Sequence, residues 1–294
     1  MSDKGYIGRF APSPTGPLHF GSLVTALCGY LQSRASRGQW LLRIDDIDPP
    51  RHQAGATHSI LRTLQECQLH WTGKVHYQSV RLGAYRQAVD DLLRRGLAYY
   101  CTCSRREIGE RPYPGTCRGR VQRPAGQHTV RVQITEPDVE LQDLLQGTLR
   151  WNLLSQGGDF VVWRVEDLPA YHLATVLDDA AHGVTEIVRG ADLLESAPRQ
   201  RFLQALLRLP SPDYLHIPVA VDHEGRKLSK QNRAPSLEGL PVVNLLRAAL
   251  SWLGQEPLDS PKSPGAMLEW AVLHWDRSRL PRGQARSAPP ISAL

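Results

Sequence analysis

Lysine is scarce in this chain: five residues among 294, against 30 arginines. Methionine (two) and phenylalanine (four) are also few. No apolar run approaches the roughly 18–20 residues that a membrane-spanning helix needs. The first residues, MSDKGYIGRF, have neither the basic start nor the apolar segment of a secretory signal, so a cytoplasmic protein is expected. Five cysteines in a reducing compartment argue against a disulfide framework and leave metal binding or core packing. No internal repeat is visible. What is present excludes disorder for the bulk of the chain: 41% of residues are hydrophobic and seven are Trp. The length suits one large or two ordinary domains. The net charge is +6, carried largely by Arg, whose planar fork suits phosphate. A compositional bias of the genome accounts for that excess equally well.

Residues 6–100 alternate between strand and helix. Tyr6 to Phe10 reads as a short strand that runs into the loop APSPTGP, and Phe20, Leu23, Val24, Leu27 and Leu31 then fall at helical spacing. Gln39 to Ile44 reads as an interior strand ending in DDID. Ile60, Leu61 and Leu64, then Val89, Leu92 and Leu93, mark two more helices. This order predicts an α/β fold: a Rossmann-like doubly wound parallel sheet with ligands at the carboxyl ends of its strands. Residues 101–125 are rich in Cys, Pro, Gly and Arg without apolar periodicity, and His128–Ile134 and Asp159–Val165 alternate like antiparallel strands. From Tyr171 the α/β pattern resumes, with strands at Glu186–Val188 and Ile217–Val221 and a helix over Ala197–Leu209. The expected organisation is a first catalytic half (1–100), an insertion (101–170), a second half (171–235), a short helical appendage (236–275) and a disordered tail (276–294).

Two segments carry the chemistry. In Arg9-Phe-Ala11-Pro-Ser13-Pro-Thr-Gly16-Pro-Leu-His19-Phe-Gly21-Ser22 a strand meets a Pro/Gly turn and then a helix start. Free N–H groups and the macrodipole make such a helix start a phosphate site. Gly21 permits close approach of a nucleotide, and His19 can donate to a phosphate oxygen as charge develops. Some 200 residues on, Lys227-Leu-Ser-Lys230-Gln follows an apparent hairpin, a cationic arm able to neutralise a triphosphate.

His19-Phe-Gly21-Ser22 resembles the HIGH signature of class I aminoacyl-tRNA synthetases, and Lys227-Leu-Ser-Lys230-Gln their KMSKS signature. The lead-in RFAPSPTGPLHFG and the later RIDDIDPPR resemble the glutamyl branch of that family. The resemblance spans residues 7 to about 235. Ser22 and Gln231 depart from the signatures, and Asp45 stands where the family usually has the longer Glu. The resemblance implies formation of glutamyl adenylate from ATP and L-glutamate, with His19, Gly21, Lys227 and Lys230 catalytic and His19, Gly21, Ser22 and Lys230 on the ATP. Glutamate carries two carboxylates and one ammonium. Its site needs cationic forks, for which Arg9 and Arg189 are candidates; hydrogen bonds from Ser13 and Tyr171 with the Ala11 segment beside them; and an acid, Asp45, for the ammonium.

Cys101, Cys103 and Cys117 place three thiols within seventeen residues, a spacing that suits one tetrahedral zinc. Tyr113, water or a distant side chain would complete it, and a zinc site with a Tyr fourth ligand in relatives of this family has similar spacing. Cys28 and Cys67 lie on apolar helix faces and read as core. Only about sixty residues follow Gln231, too few for the anticodon-reading domain of a full glutamyl-tRNA synthetase. The chain therefore resembles a truncated branch that activates glutamate without tRNA and attaches it to the cyclopentene ring of queuosine in the anticodon of tRNA(Asp). That implies a monomeric, membrane-free ligase with Mg2+ accompanying ATP and one structural Zn2+. The alternatives are an ordinary glutamyl-tRNA synthetase lacking its anticodon domain and a small-molecule nucleotidylyltransferase.

Overall fold

A computed structural model describes residues 5–228 and 236–290. The first half runs β1 (Ile7–Phe10), α1 (Phe20–Ala35), β2 (Gln39–Ile44), α2 (Ala56–Glu66), β3 (His76–Tyr77) and α3 (Leu82–Arg94). The middle holds β4 (Ala98–Cys101), α4 (Arg105–Ile108), β5 (Thr129–Val132), β6 (Asp138–Asp143), β7 (Gly147–Asn152) and β8 (Val161–Trp163). The second half follows as α5 (Tyr171–Ala181), β9 (Glu186–Gly190), α6 (Ala197–Leu206), β10 (Asp213–Ile217) and β11 (Val219–Val221), then α7 (Val242–Trp252), α8 (Pro264–Leu273) and β12 (Ala285–Ser287).

β1, β2 and β3 pair in parallel, as do β9, β10 and β6. The two halves meet where Thr185 donates its backbone N–H to Ile7 O at 2.8 Å and accepts the Ile7 N–H on its hydroxyl at 2.9 Å. The parallel α/β sheet is thus present, with strands that periodicity did not reveal: the two-residue β3, most of β10, and β6. β6 comes from the insertion, forms a hairpin with β7, and sits at the edge of the second half. Its alternation is weak, because only Leu141 and Asp143 turn inward. β4, β5 and β8 form a separate antiparallel sheet, as the alternation around residues 130 and 162 anticipates.

Three expectations need correction. The strand predicted over Ile217–Val221 is two strands, broken at Pro218, which has no N–H to continue the ladder. The helices after residue 236 are no appendage. α1 is buried nearly all round, and Leu245, Leu246, Ala249, Met267 and Leu268 of α7 and α8 share its apolar cluster, with Phe20 edge-on to Trp252 at 6.2 Å. Nor is the stretch from 276 to 290 a disordered tail. Leu280 is buried, β12 pairs with β11, and Trp252 donates its indole N–H to Ser287 O at 2.9 Å. Backbone pairing and one buried Leu suffice where no apolar pattern exists. Among the described residues no helix is long and apolar enough to cross a membrane.

Candidate active site and metal centre

A cleft of about 470 Å³ opens at the carboxyl ends of β1, β2 and β9. Arg9, Ala11 and Ser13 line it from the first strand and its loop, and His19, Gly21 and Ser22 from the start of α1. Asp45 enters after β2, Tyr171 opens α5, Arg189 lies near the end of β9, and Lys227 follows β11. Every candidate residue of the two signatures and the amino-acid site borders this one cavity except Lys230, which lies outside the described residues.

His19 is the N-cap of α1. Its Nδ1 accepts the Ser22 backbone N–H at 3.3 Å, which leaves the proton on Nε2, 3.2 Å from Ser22 Oγ. A Cβ on Gly21 would stand 3.1 Å from the imidazole Cε1, so the glycine makes room for the histidine as well as for a ligand. The position where the signature departs from its usual His is thus occupied by a hydroxyl that holds the first His in place.

The floor of the cleft is a ladder of buried charges. Arg9 grips Asp179 with Nε and one terminal nitrogen, at 3.3 and 3.4 Å. Arg43 reaches the same Asp179 at 2.5 Å and Asp45 at 2.7 Å. Burial disfavours the Asp179 anion, but the two guanidiniums hold its carboxyl below the usual range. Asp45 goes the other way: burial pushes it up, and Arg43 only partly offsets that. Asp45 is therefore no idle carboxylate awaiting an ammonium; it is already paired with Arg43. Lys227 is likewise ion-paired with Asp192, just beyond β9. Arg189 is 4% exposed and commits three of its five N–H donors to protein, leaving two for a ligand.

The second constellation is compact. The sulfurs of Cys101, Cys103 and Cys117 all lie within 4.8 Å of one another. Cys103 and Cys117 are 3.6 Å apart, close to the edge of about 3.8 Å that a tetrahedron with zinc–sulfur bonds requires. Tyr113 Oη lies 3.3 Å from Cys101 Sγ and 3.8 Å from Cys103 Sγ, and it accepts the Cys117 backbone N–H at 3.0 Å. Burial opposes ionisation of Cys117, but the Thr102 N–H and the Tyr113 hydroxyl bring its thiol down to about 7. Three sulfurs and a phenol oxygen make a donor set that can hold a metal ion. Gly158 allows the Tyr113 backbone to seat there, since a Cβ would meet Tyr113 O at 2.3 Å and its φ is +70°. Cys28 and Cys67 are buried in the core.

Comparison with known proteins matches these features to one family. The model for class I tRNA synthetases (E and Q), catalytic domain, matches residues 7–114 and 116–243. The chain belongs to that family. Proteins named Glutamyl-Q tRNA(Asp) synthetase resemble it end to end: that of Pseudomonas syringae pv. tomato is 47% identical over 96% of this chain and 97% of its own length. The one from Methylococcus capsulatus is 50% identical over 95% and 94%. In fold, the chain superposes on the glutamate-tRNA synthetase of Elizabethkingia anophelis with a TM-score of 0.83, at 21% identity, covering 99% of this chain and 69% of that one.

In this class I synthetase two acids that pair with the cleft's candidate residues carry no sequence signature. Asp179 lies in a run that reads as plain helix, and Asp192 follows β9 without a motif, whereas Arg43 opens the segment RIDDIDPPR but is not singled out there as the partner of Asp45 and Asp179. The adjacent acids Asp178 and Asp179 inside the apolar stretch YHLATVLDDAA were the available signal, because two buried carboxylates on a helix need cations. The synthetase's insertion holds a second surprise. Arg118 of its Arg-rich loop grips buried Asp159 with two nitrogens at 2.6 and 2.7 Å, and Arg120 donates to the Thr102 hydroxyl.

Proposed function

We propose that this chain activates L-glutamate with ATP, without tRNA, and transfers it to queuosine in the anticodon of tRNA(Asp). The observation that carries the reading is the meeting of two segments about 200 residues apart, around His19 and Lys227, in one cleft that also holds Arg9, Asp45 and Arg189. The names of relatives that match it over nearly their whole length support the acceptor.

In the first step a glutamate α-carboxylate oxygen attacks the α-phosphorus in line. The P–O bond to pyrophosphate breaks, and Mg2+ arrives as part of the ATP substrate. His19 Nε2–H and the free N–H groups at the start of α1 meet the phosphates, and Lys227 and Lys230 take charge off the leaving pyrophosphate. Arg9 and Arg189 hold the amino acid's carboxylates, Asp45 its ammonium, and Ser13, Tyr171 and the Ala11 segment line the remainder. Because Arg9, Asp45 and Lys227 are already paired, glutamate and ATP bind by exchanging partners with Asp179, Arg43 and Asp192. In the second step a queuosine hydroxyl attacks the mixed anhydride, giving the ester and AMP.

Cys101, Cys103, Cys117 and Tyr113 hold one Zn2+, a closed site that cross-links the insertion and takes no part in chemistry. Arg105, Arg106, Arg111 and Arg123, all exposed, meet tRNA phosphates, while Arg118 and Arg120 serve the loop itself. The chain organises as residues 1–100 and 171–235 forming the catalytic halves, with 101–170 the connective insertion.

The test is transfer of labelled glutamate, with ATP, onto tRNA from cells that make queuosine and from cells that do not. Label confined to the first pool is the expected result. Equal labelling would mean charging of the terminal ribose. No label, with glutamate-dependent ATP–pyrophosphate exchange intact, would point to a small-molecule acceptor.

A further inference from the structure

Behind Arg189 a chain of buried polar groups leads away from the cleft. Its Nε lies 2.8 Å from His216 Nε2, one terminal nitrogen donates to Gln200 Oε1 at 2.7 Å, and the other to Leu193 O at 3.2 Å. A guanidinium can only donate, so His216 Nε2 accepts and carries no proton. The ring's one proton therefore sits on Nδ1, which donates to Asp143 Oδ2 at 2.6 Å. The other Asp143 oxygen accepts the N–H groups of Leu145 and Gln146 at 2.9 and 2.8 Å, tying the carboxylate to the turn between β6 and β7. His216 is fully buried and Asp143 is 1% exposed. Neither borders the cleft.

We infer that His216, kept as the neutral Nδ1–H tautomer by Asp143, is a positioning residue that sets the plane of the Arg189 guanidinium toward the carboxylate of the amino-acid substrate. The guanidinium is rigid and planar, so holding three of its N–H groups also aims the remaining two. A second route to the same end is closed. A protonated His216 would turn an N–H toward the Arg189 N–H at hydrogen-bond distance. The charged groups around the ring are Asp143, Arg189 and Asp192; burial and Arg189 outweigh the two acids and hold the imidazole below its usual range. The inference rests on the proposed role of Arg189 in holding glutamate.

The experiment is ATP–pyrophosphate exchange by the full chain, with glutamate and ATP varied separately and a thermal melt beside it. His216→Asn keeps an amide near Nδ1 for Asp143 and removes the acceptor facing Arg189. His216→Gln places its amide oxygen near Nε2 and restores that acceptor. The Asn variant is expected to raise the glutamate KM roughly tenfold with the ATP KM within about twofold, and the Gln variant to stay within about threefold of the parent. An unchanged glutamate KM in the Asn variant overturns the inference. So does an equal rise in both variants that tracks an equal loss of melting temperature, since His216 would then be a core residue only. If His216→Asn does not fold, Asp143→Asn serves: a glutamate KM raised about threefold at constant ATP KM supports positioning, and no change overturns it. Arg189→Lys separates the two readings. If it leaves the glutamate KM unaltered, the role of Arg189 fails and the inference with it. If it raises that KM while His216→Asn does not, the inference alone fails.

Discussion

In the cysteine cluster, four side chains from seventeen consecutive residues converge, and the three sulfurs lie within 4.8 Å of one another. In the cleft the ladder joins side chains far apart in the chain, 170 residues between Arg9 and Asp179 and 136 between Arg43 and Asp179, beside the local pair of Arg43 with Asp45. The chemistry differs as sharply. The cluster contains no carboxylate, and Arg131 donates to Cys101 Sγ at 3.4 Å and lies over the Tyr113 ring. The cleft is built from opposed buried charges that satisfy each other before any ligand arrives. A site of thiols closes around one ion. A site of paired charges opens by exchange, so a zwitterionic ligand trades ion pairs with the wall and gains only their difference.

Removing the charge that links the ladder puts this contrast under the most strain. Arg43→Ala leaves Asp45 and Asp179 buried with less compensation and should cost about 3–5 kcal/mol of stability in urea unfolding. A loss below about 1 kcal/mol would mean that water already reaches the ladder. Next in size is the proposed zinc site. Cys103→Ala should abolish bound zinc, measured by metal analysis of the purified chain, and lower stability by on the order of 2 kcal/mol, with the glutamate KM unchanged. A shifted KM would show that the two regions are coupled.

A smaller effect tests the buried surroundings of His172, next in the chain to the cleft residue Tyr171. Burial first, then Arg199 and Arg189, bring the imidazole of His172 down to about 3. Its folded pKa lies below the unfolded value near 6.5, so its contribution to stability is complete above that pH. That contribution is lost as pH falls from about 6.5 toward 3, because the unfolded chain then binds the extra proton. His172→Gln should reduce the stability lost between pH 7 and 5.5 by on the order of 1 kcal/mol, and identical losses in both proteins would remove this account. The smallest expected change is at the surface. Replacing Arg105, Arg106 and Arg111 by Ala should leave unfolding unaltered and flatten the salt dependence of tRNA binding by roughly 0.7–0.9 in logarithmic slope for each phosphate no longer neutralised. Arg118→Ala should act on stability instead, since it uncovers Asp159.

The signature segments, the spacing of the clustered cysteines and many of the alternating elements were legible in the sequence, because each is local. His19 and Gly21 sit two apart on one helix start, Cys101 to Cys117 on one loop, and the apolar stripe of α1 repeats at helical spacing. Long-range pairings have no such period. Nothing near Arg9 or Arg43 announces that both hold Asp179, nothing in the Arg-rich loop separates Arg118, clamped on Asp159, from Arg105, and nothing near His216 points to Arg189. The edge strand β6, the packing of α7 and α8 on α1, and the pairing of β12 with β11 were likewise decided only by folding, through backbone hydrogen bonds that any residue but proline can make and burial shared among distant segments. By itself the sequence determined which groups this protein carries and which local turns present them. The tertiary structure decided which charges neutralise one another, because the energy of a buried charge depends on partners within a few ångströms and not on its neighbours in the chain.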